Sequence, residues 1–482
     1  MAVPVPEKVP SLNACIIGHV DSGKSTTVGM FALAKGLIDK RAYEKYKTEA
    51  ENNNKPSFAL AYFTDNTEAE RRRGITIQTT LKHFPMNNYQ LNILDCPGHK
   101  DFIKNMITGA AQADVAVAIV PSPDFEASIA SGATLQDHMM IAGILGIKQL
   151  IICITKLDVL PEDKQKNKFE EIKKEIELIA KNKTPFKAPI VIPISGLKGT
   201  NLTEDGPKFP WFEGFVHKTK LAPGTKTANA VVDENGSIMI HTLEGAMNAQ
   251  EIPIRPVDKP LRMPVTEIHT ISGFGLIYTG RVDSGFIRPG MQVVFQPSGV
   301  TGEVKTLQIH RTDQKEVVCG ENVGMALKSG AKGNLTQIKK GNVISDMKNE
   351  PCKIFAGCKS RIVIIDHPKG IKPGFTPVMD LGSHHIPVKF AKFIDKVNPK
   401  DKVNITDPEE LNKRDLANVI LIPQKPTIME KATEFPTLAR FCIRDSGNVV
   451  AIGTINDLYT EQQIEQLGVD LKQTKKTDRK QG

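Results

Sequence analysis

The first half of the chain alternates short apolar runs with longer segments in which apolar residues recur every three or four positions. The runs at 13–17, 91–94, 115–120, 149–154 and 189–194 carry few polar interruptions, as strands buried on both faces of a parallel sheet do. Between the last two, Phe169, Ile172, Ile176 and Ile179 stand among Lys and Glu, which predicts a helix with one buried stripe. A second helix is expected from about 134 to 145. Beyond about residue 255 the pattern changes to short β-branched runs broken by turn signals such as Arg288-Pro289-Gly290 and Lys372-Pro373-Gly374. That is barrel-like all-β sequence. The weakly patterned stretch 218–255, with Pro223-Gly224 and Asn235-Gly236, reads as a link between the two regimes.

Composition narrows the class. At 482 residues the chain exceeds one ordinary core, and its 40% hydrophobic and 24% charged content belongs to a globular protein, not a disordered one. No run of about 18 apolar residues exists and residues 1–10 lack a secretory apolar stretch, so no membrane partner is expected and a cytoplasmic location is. The seven scattered cysteines read as reduced core thiols. Residues 1–250 hold 29 basic and 28 acidic side chains, whereas residues 251–482 hold 34 and 26. The excess cation charge of the second half suits a polyanionic partner, although a merely soluble basic surface explains it equally well.

The chemistry is concentrated in the first half. Gly18-His19-Val20-Asp21-Ser22-Gly23-Lys24-Ser25 follows an apolar strand and precedes a helical segment, the context a phosphate-binding loop requires. Its glycines let backbone N–H groups wrap phosphates, Lys24 reaches the outer ones, and the Ser25 hydroxyl suits Mg²⁺. Asp95-Cys96-Pro97-Gly98 ends the strand at 91–94; Asp95 can hold the metal through water and the Gly98 amide can sense a γ-phosphate. Thr155-Lys156-Leu157-Asp158 ends the strand at 149–154, and Asp158 can accept from guanine N1–H and the exocyclic amine together, a donor pair adenine lacks. Ser195-Gly196-Leu197 ends the last strand and can offer amides to guanine O6. Each motif alone is weak. Their shared position at the C-terminal ends of strands, where an open α/β sheet gathers its ligand groups, makes them one site.

Between the first two motifs lies Glu70-Arg71-Arg72-Arg73-Gly74-Ile75-Thr76-Ile77. Thr76 can complete a Mg²⁺ shell only while a γ-phosphate is present, which turns hydrolysis into release of a loop. His99, directly after Gly98, can orient an attacking water. Without these neighbours the Arg-rich segment would be a solvated face and His99 a surface residue.

Taken together the segments resemble the translational GTPases, most closely the elongation factor 1-alpha group. Gly18 to Thr26, Arg73-Gly74-Ile75-Thr76-Ile77, the run from Asp95 to Gly109, Pro210-Trp211-Phe212, Lys259-Pro260-Leu261-Arg262, Gly280-Arg281-Val282, Arg288-Pro289-Gly290-Met291 and Glu321-Asn322-Val323-Gly324 carry the likeness over nearly the whole chain. The resemblance implies an α/β P-loop GTPase domain, mostly parallel with helices on both faces, over residues 1–254. Two β-barrels over 255–348 and 349–460 would follow, with a polar tail over 461–482. It implies GTP/GDP and Mg²⁺ as ligands, Val20 and Ile75 as an apolar gate before His99, and Arg281 and Asp283 near the tRNA 3′ end. Its partners would be aminoacyl-tRNA, the ribosome, a guanine-nucleotide exchange factor and, in some members, actin. Departures from the family pattern fall at Thr155, where Asn is usual, and at Arg72, Leu197 and Asp283. The competing readings are the related termination and rescue GTPases, a sulfate-activating GTPase subunit, and an actin-binding scaffold. The first is opposed by the elongation-type Arg73–Ile77 segment and Arg281, and by a first strand that begins at about Asn13.

Overall fold

The computed structural model describes residues 9–130, 134–218, 232–272, 275–309, 312–365, 367, 369–397 and 403–469. One compact unit ends at Pro253 and a second begins at Ile254.

The first unit is built on a six-stranded sheet in the order β2-β3-β1-β4-β5-β6. Its strands are β1 (Ser11–Gly18), β2 (Thr80–Pro85), β3 (Gln90–Asp95), β4 (Val115–Pro121), β5 (Gln149–Thr155) and β6 (Ile190–Pro193). All neighbours are parallel except β2, which runs antiparallel to β3 at the edge. The five apolar runs are five of these strands. Alternate residues explain why the runs are continuous. Leu12, Ala14 and Ile16 of β1 and Val115, Val117 and Ile119 of β4 share one core with Val28, Phe31 and Ala32 of α1 (Lys24–Ala34). The intervening Cys15, Ile17, Ala116 and Ala118 are as fully buried, so the opposite face is covered as well.

The remaining helices are α2 (Lys40–Asn52), α3 (Glu68–Arg73), α4 (Ile103–Ala110), α5 (Phe125–Ile129), α6 (Thr134–Ile144) and α7 (Glu162–Lys183). In α7 the buried positions include Phe169, Ile172, Ile176 and Ile179, the expected stripe. Burying each of these side chains contributes about 1.5–3 kcal/mol.

One expectation is overturned. β7 (Phe215–Lys218) runs up to the stretch taken for a link, which contains its antiparallel partner β8 (Ser237–Ile240) and α8 (Leu243–Asn248). Val232, Ile238, Ile240, Leu243, Ala246 and Met247 join the same core as β1 and α1. Thr242 caps α8 by accepting from the Gly245 amide at 2.9 Å, and Lys35, the C-cap of α1, pairs with Glu244. Pro223-Gly224 lies outside the described residues.

The second unit carries two β bodies. In one, seven strands run in the order 267–271, 275–281, 322–327, 300–309, 292–296, 343–346 and 263–264 around Met263, Tyr278, Val293, Phe295 and Met325. In the other, strands 378–381, 440–445, 448–459, 357–364, 416–423 and 384–397 close into a barrel, because Val378–Leu381 also pairs with His384–Pro387. Residues 461–469, expected as tail, begin with helix α9 (Glu461–Gln466), held by a Thr460/Gln463 capping box. Its Ile464 is fully buried with Ile420 and Ile422 on the outside of the barrel; the rest of the expected tail lies outside the described residues.

Arg262, 2% exposed, donates from Nε to Glu430 at 2.7 Å and from Nη1 to the Glu350 carbonyl at 2.9 Å, with its guanidinium 4.4 Å from the Phe435 ring centroid. This pair ties the first β body to the second. Arg262→Ala leaves Glu430 charged and dry and is expected to destabilise the second unit by about 3–5 kcal/mol. Joint replacement by Met and Leu should recover most of that loss; denaturant unfolding of the two variants against the parent measures both.

Candidate nucleotide site

The loops that follow β1, β3, β5 and β6 meet at the C-terminal edge of the sheet around a cavity of ≈ 540 Å³. Val20, Asp21, Gly23, Lys24, Ser25, Thr26, Ile75, Thr76, Gly98, His99, Thr155, Lys156, Asp158, Gly196 and Leu197 line it. Gly18, Ser22, Asp95 and Ser195 stand behind this wall, all but Gly18 at most 1% exposed. Arg281 and Asp283 belong to the second unit. Arg281 is 7% exposed at the end of strand 275–281, and the Asp283 amide donates to the Arg262 carbonyl.

The phosphate end is built from backbone. Asp21 and Gly23 adopt left-handed conformations (φ 57 and 94), which turn successive N–H groups toward one concavity. Lys24 opens the eleven-residue α1, and its Nζ donates to the carbonyls of Gly18 at 3.2 Å and His19 at 2.7 Å. Gly98 packs against this loop so tightly that a Cβ would lie 2.5 Å from Lys24 Nζ and 3.0 Å from the Gly18 carbonyl oxygen. Only glycine allows β3's loop to touch the P-loop.

Beside it Ser25 Oγ and Thr76 Oγ1 are 3.0 Å apart, and Thr76 Oγ1 donates to Asp65 Oδ1 at 3.0 Å. The Thr76 hydroxyl thus stands between Asp65 and Ser25. Both Asp95 oxygens are buried without a hydrogen-bond partner. Burial raises the Asp95 carboxyl, opposed by Ser25, Thr64 and Lys24. Burial, reinforced by Asp95, raises Asp65 to about 7, and burial lowers Lys24 to about 8. Two carboxylates and two hydroxyls thus share a dry corner whose negative charge Lys24 only partly offsets. Among the described residues no cluster of three or more His, Cys, Asp or Glu forms a metal cage.

At the base end Lys156 is left-handed (φ 61) and its Nζ donates to the Asp21 carbonyl at 2.7 Å, clamping the third loop to the first. Asp158 is 12% exposed, with Lys198 Nζ at 4.0 Å; the Lys198 amide in turn donates to Ser195 Oγ at 3.1 Å. Thr155 is buried, and Leu197 is 54% exposed at the rim. His99 accepts through Nδ1 from the Asp101 amide at 3.2 Å, and its side chain is 45% exposed. Arg72 is solvated and pairs with Glu68 on its own helix.

Sequence reading missed Asp65, Ser57, Phe58, Ala61 and Val159 on the wall, and gave no role of their own to Gly74 on that wall and Glu70, both inside the 70–77 segment. Glu70 is 1% exposed. Burial pushes its carboxyl up, but bonds from the Gln78, Ile77 and Thr67 amides and the Thr67 hydroxyl outweigh it and hold the group below its usual range. The Thr67-x-x-Glu70 capping box was the available signal.

A P-loop against a parallel sheet, with a carboxylate poised for the base, defines a guanine-nucleotide hydrolase. Three family models match: elongation factor Tu GTP binding domain over residues 9–249, elongation factor Tu domain 2 over 275–345, and the GTP-eEF1A C-terminal domain-like family over 357–456. Elongation factor 1-alpha of Encephalitozoon cuniculi (strain GB-M1) is 45% identical over 98% of this chain and 96% of its own. That of Saccharomyces cerevisiae (strain ATCC 204508 / S288c) is 39% identical over 93% and 94%. The chain belongs to the elongation factor 1-alpha family, and is a translation elongation factor with GTPase activity. The S. cerevisiae Ski7 GTPase-like domain shares the fold, with a TM-score of 0.72 at 16% identity over 92% of this chain and 97% of that one. No helix among the described residues is long and apolar enough to cross a membrane.

Proposed function

We propose that the protein, in its GTP form, binds aminoacyl-tRNA, delivers it to the ribosomal A site in the cytoplasm, and hydrolyses GTP once the codon is recognised. The observation that supports this most is the convergence of four separate loops on one cavity, with the Ser25 and Thr76 hydroxyls beside the partnerless Asp95 carboxylate.

That donor set fits Mg²⁺. The ion takes oxygen ligands, keeps several waters, and leaves room for phosphate oxygens. Ser25 and Thr76 would hold it directly and Asp95 through water; when bound it neutralises charge on the β- and γ-phosphates. Asp65 holds Thr76 in place by accepting a hydrogen bond from its hydroxyl. The P-loop amides from Asp21 to Thr26 bind the phosphates, with Lys24 turning from its carbonyl partners to them. Asp158 reads the guanine edge, Lys156 and Leu197 flank the ring, and Ser195 and Gly196 shape the O6 side. Val20 and Ile75 screen His99 from the water until the ribosome moves it inward.

We further assign residues 1–254 to the GTPase domain, 255–348 and 349–460 to the two barrels, and Arg281 and Asp283 to the neighbourhood of the tRNA 3′ end. The basic second half suits the phosphate backbone of tRNA. A separate guanine-nucleotide exchange factor reloads GTP.

Filter binding of charged and uncharged tRNA, each with GTP and with GDP, tests the carrier role. Charged tRNA with GTP should be retained best; equal retention in all four mixtures would end the assignment.

A further inference from the structure

The segment that carries Thr76 is organised around a single side chain the reaction itself does not use. Glu70 ends its helix's first turn, yet one carboxylate oxygen and its carbonyl make contacts ahead of it in the chain. Its backbone carbonyl accepts from the Gly74 amide at 2.6 Å and the Ile75 amide at 3.3 Å. Its Oε1 accepts from the Ile77 amide at 3.0 Å and the Gln78 amide at 3.1 Å. Its Oε2 accepts from the Thr67 amide at 3.0 Å and the Thr67 hydroxyl at 2.8 Å. The amides on both sides of Thr76 therefore converge on one residue.

A capping box alone needs one carboxylate oxygen turned back to the N-cap. Here the second oxygen reaches forward past Thr76. A buried carboxylate has room for several N–H donors, and such charge-assisted bonds are about twice as strong as neutral ones. The forward pair fixes the chain after Thr76 and the carbonyl fixes it before, so the Thr76 side chain is aimed from two anchor points at Ser25 and Asp65.

We infer that Glu70 is the positioning residue of the switch segment: it joins residues 74–78 to α3 as one piece and sets Thr76 where the terminal phosphate of GTP is sensed. This rests on the reading of Thr76 given above. Helix and segment then engage or release together, which sharpens the difference between the GTP and GDP forms.

Glu70→Gln tests it, because an amide of the same shape offers one acceptor oxygen and turns an NH₂ toward one of the two donor pairs. Affinity for a non-hydrolysable GTP analogue with Mg²⁺ should fall roughly tenfold or more, the loss of a charge-assisted pair, while GDP affinity stays within about twofold. Thr67→Ala, which breaks the cap and leaves Ile77 and Gln78 bonded to Oε1, should change the ratio of the two affinities little. Amide hydrogen exchange at residues 77 and 78 should accelerate in Glu70→Gln and not in Thr67→Ala. If Glu70→Gln weakens both nucleotides equally, or Thr67→Ala reproduces its effect, Glu70 is only a helix cap and the proposal fails. Thr76→Ala separates the two ideas: if exchange responds to Glu70→Gln but Thr76→Ala keeps full preference for the GTP analogue, it is the reading of Thr76 that falls. Should Glu70→Gln not fold, Glu70→Asp, which keeps the charge and shortens the reach, is held to the same criteria.

Discussion

Replacing Asp158 by Asn is expected to lower affinity for GTP by roughly 10³-fold or more and to bring xanthosine triphosphate above it. The carboxylate is acceptor-only and mostly buried, 12% exposed, with Lys198 4.0 Å away. Guanine presents it with two N–H donors. In Asn one of the two oxygens becomes an NH₂, which meets the exocyclic amine of guanine donor to donor, whereas the oxygen that xanthine carries at that position accepts from it. Adenine gains nothing from either residue, since it lacks the N1–H. Competition of guanosine, xanthosine and adenosine triphosphates for the parent and the variant measures the exchange. Undiminished guanine selectivity in the variant would mean that another group reads the base. Thr155 is buried at the same loop, so the parent itself is the reference for every comparison.

What could be read from the chain in advance follows from how each element is stabilised. β1, β3, β4, β5 and β6 are buried on both faces, so their apolar runs are unbroken, and the motifs at their C-terminal ends inherit positions from the sheet. The α2 to α3 region gives no such signal. In the thirteen residues of α2 only Ala50 is buried, and α3 is six residues long, so neither offers a stripe for a 3.6-residue period to reveal. Asp65 lies between them, in a turn, and reaches the site only because Arg71 gathers that turn: its Nε donates to the Asp65 carbonyl at 2.9 Å and its Nη2 to the Tyr62 carbonyl at 3.3 Å. Such long-range closure is invisible to local pattern. The misread stretch before Pro253 has the same cause in miniature, since a four-residue strand and a six-residue helix are too short for periodicity and declare themselves only through burial of Ile238, Ile240, Leu243 and Met247. α3 and α9 differ, because their capping boxes at Thr67/Glu70 and Thr460/Gln463 offered a spacing signal that went unused, the second inside residues read as tail.

The sheet also explains why the site is both firm and able to switch. Its P-loop, Gly98 and Lys156 are locked by close approach and by backbone acceptors. Thr76 instead depends on two hydroxyl contacts and on Glu70. The first group is expected to keep its backbone frame with either nucleotide, and Thr76, more slightly anchored, to respond most to the terminal phosphate.

His99→Ala is expected to leave both GTP and GDP affinities within about twofold and to lower ribosome-stimulated turnover by roughly 10²-fold or more, as loss of a group that orients the attacking water should. The geometry separates those two effects. His99 lies on the cavity wall, but its ring is 45% exposed and is tethered to its own loop, Nδ1 accepting from the Asp101 amide at 3.2 Å. No nucleotide-binding loop hangs on the imidazole, so its removal costs little in binding. On the proposed mechanism the ring would have to leave this cap and pass Val20 and Ile75, which line the same wall. That movement is what a ribosome would supply, so the penalty should be large in stimulated turnover and small in the slow intrinsic reaction. Single-turnover hydrolysis with and without programmed ribosomes distinguishes the cases. Equal losses in both would mean that His99 already serves the unstimulated site; unchanged stimulated turnover would return it to the role of a surface cap.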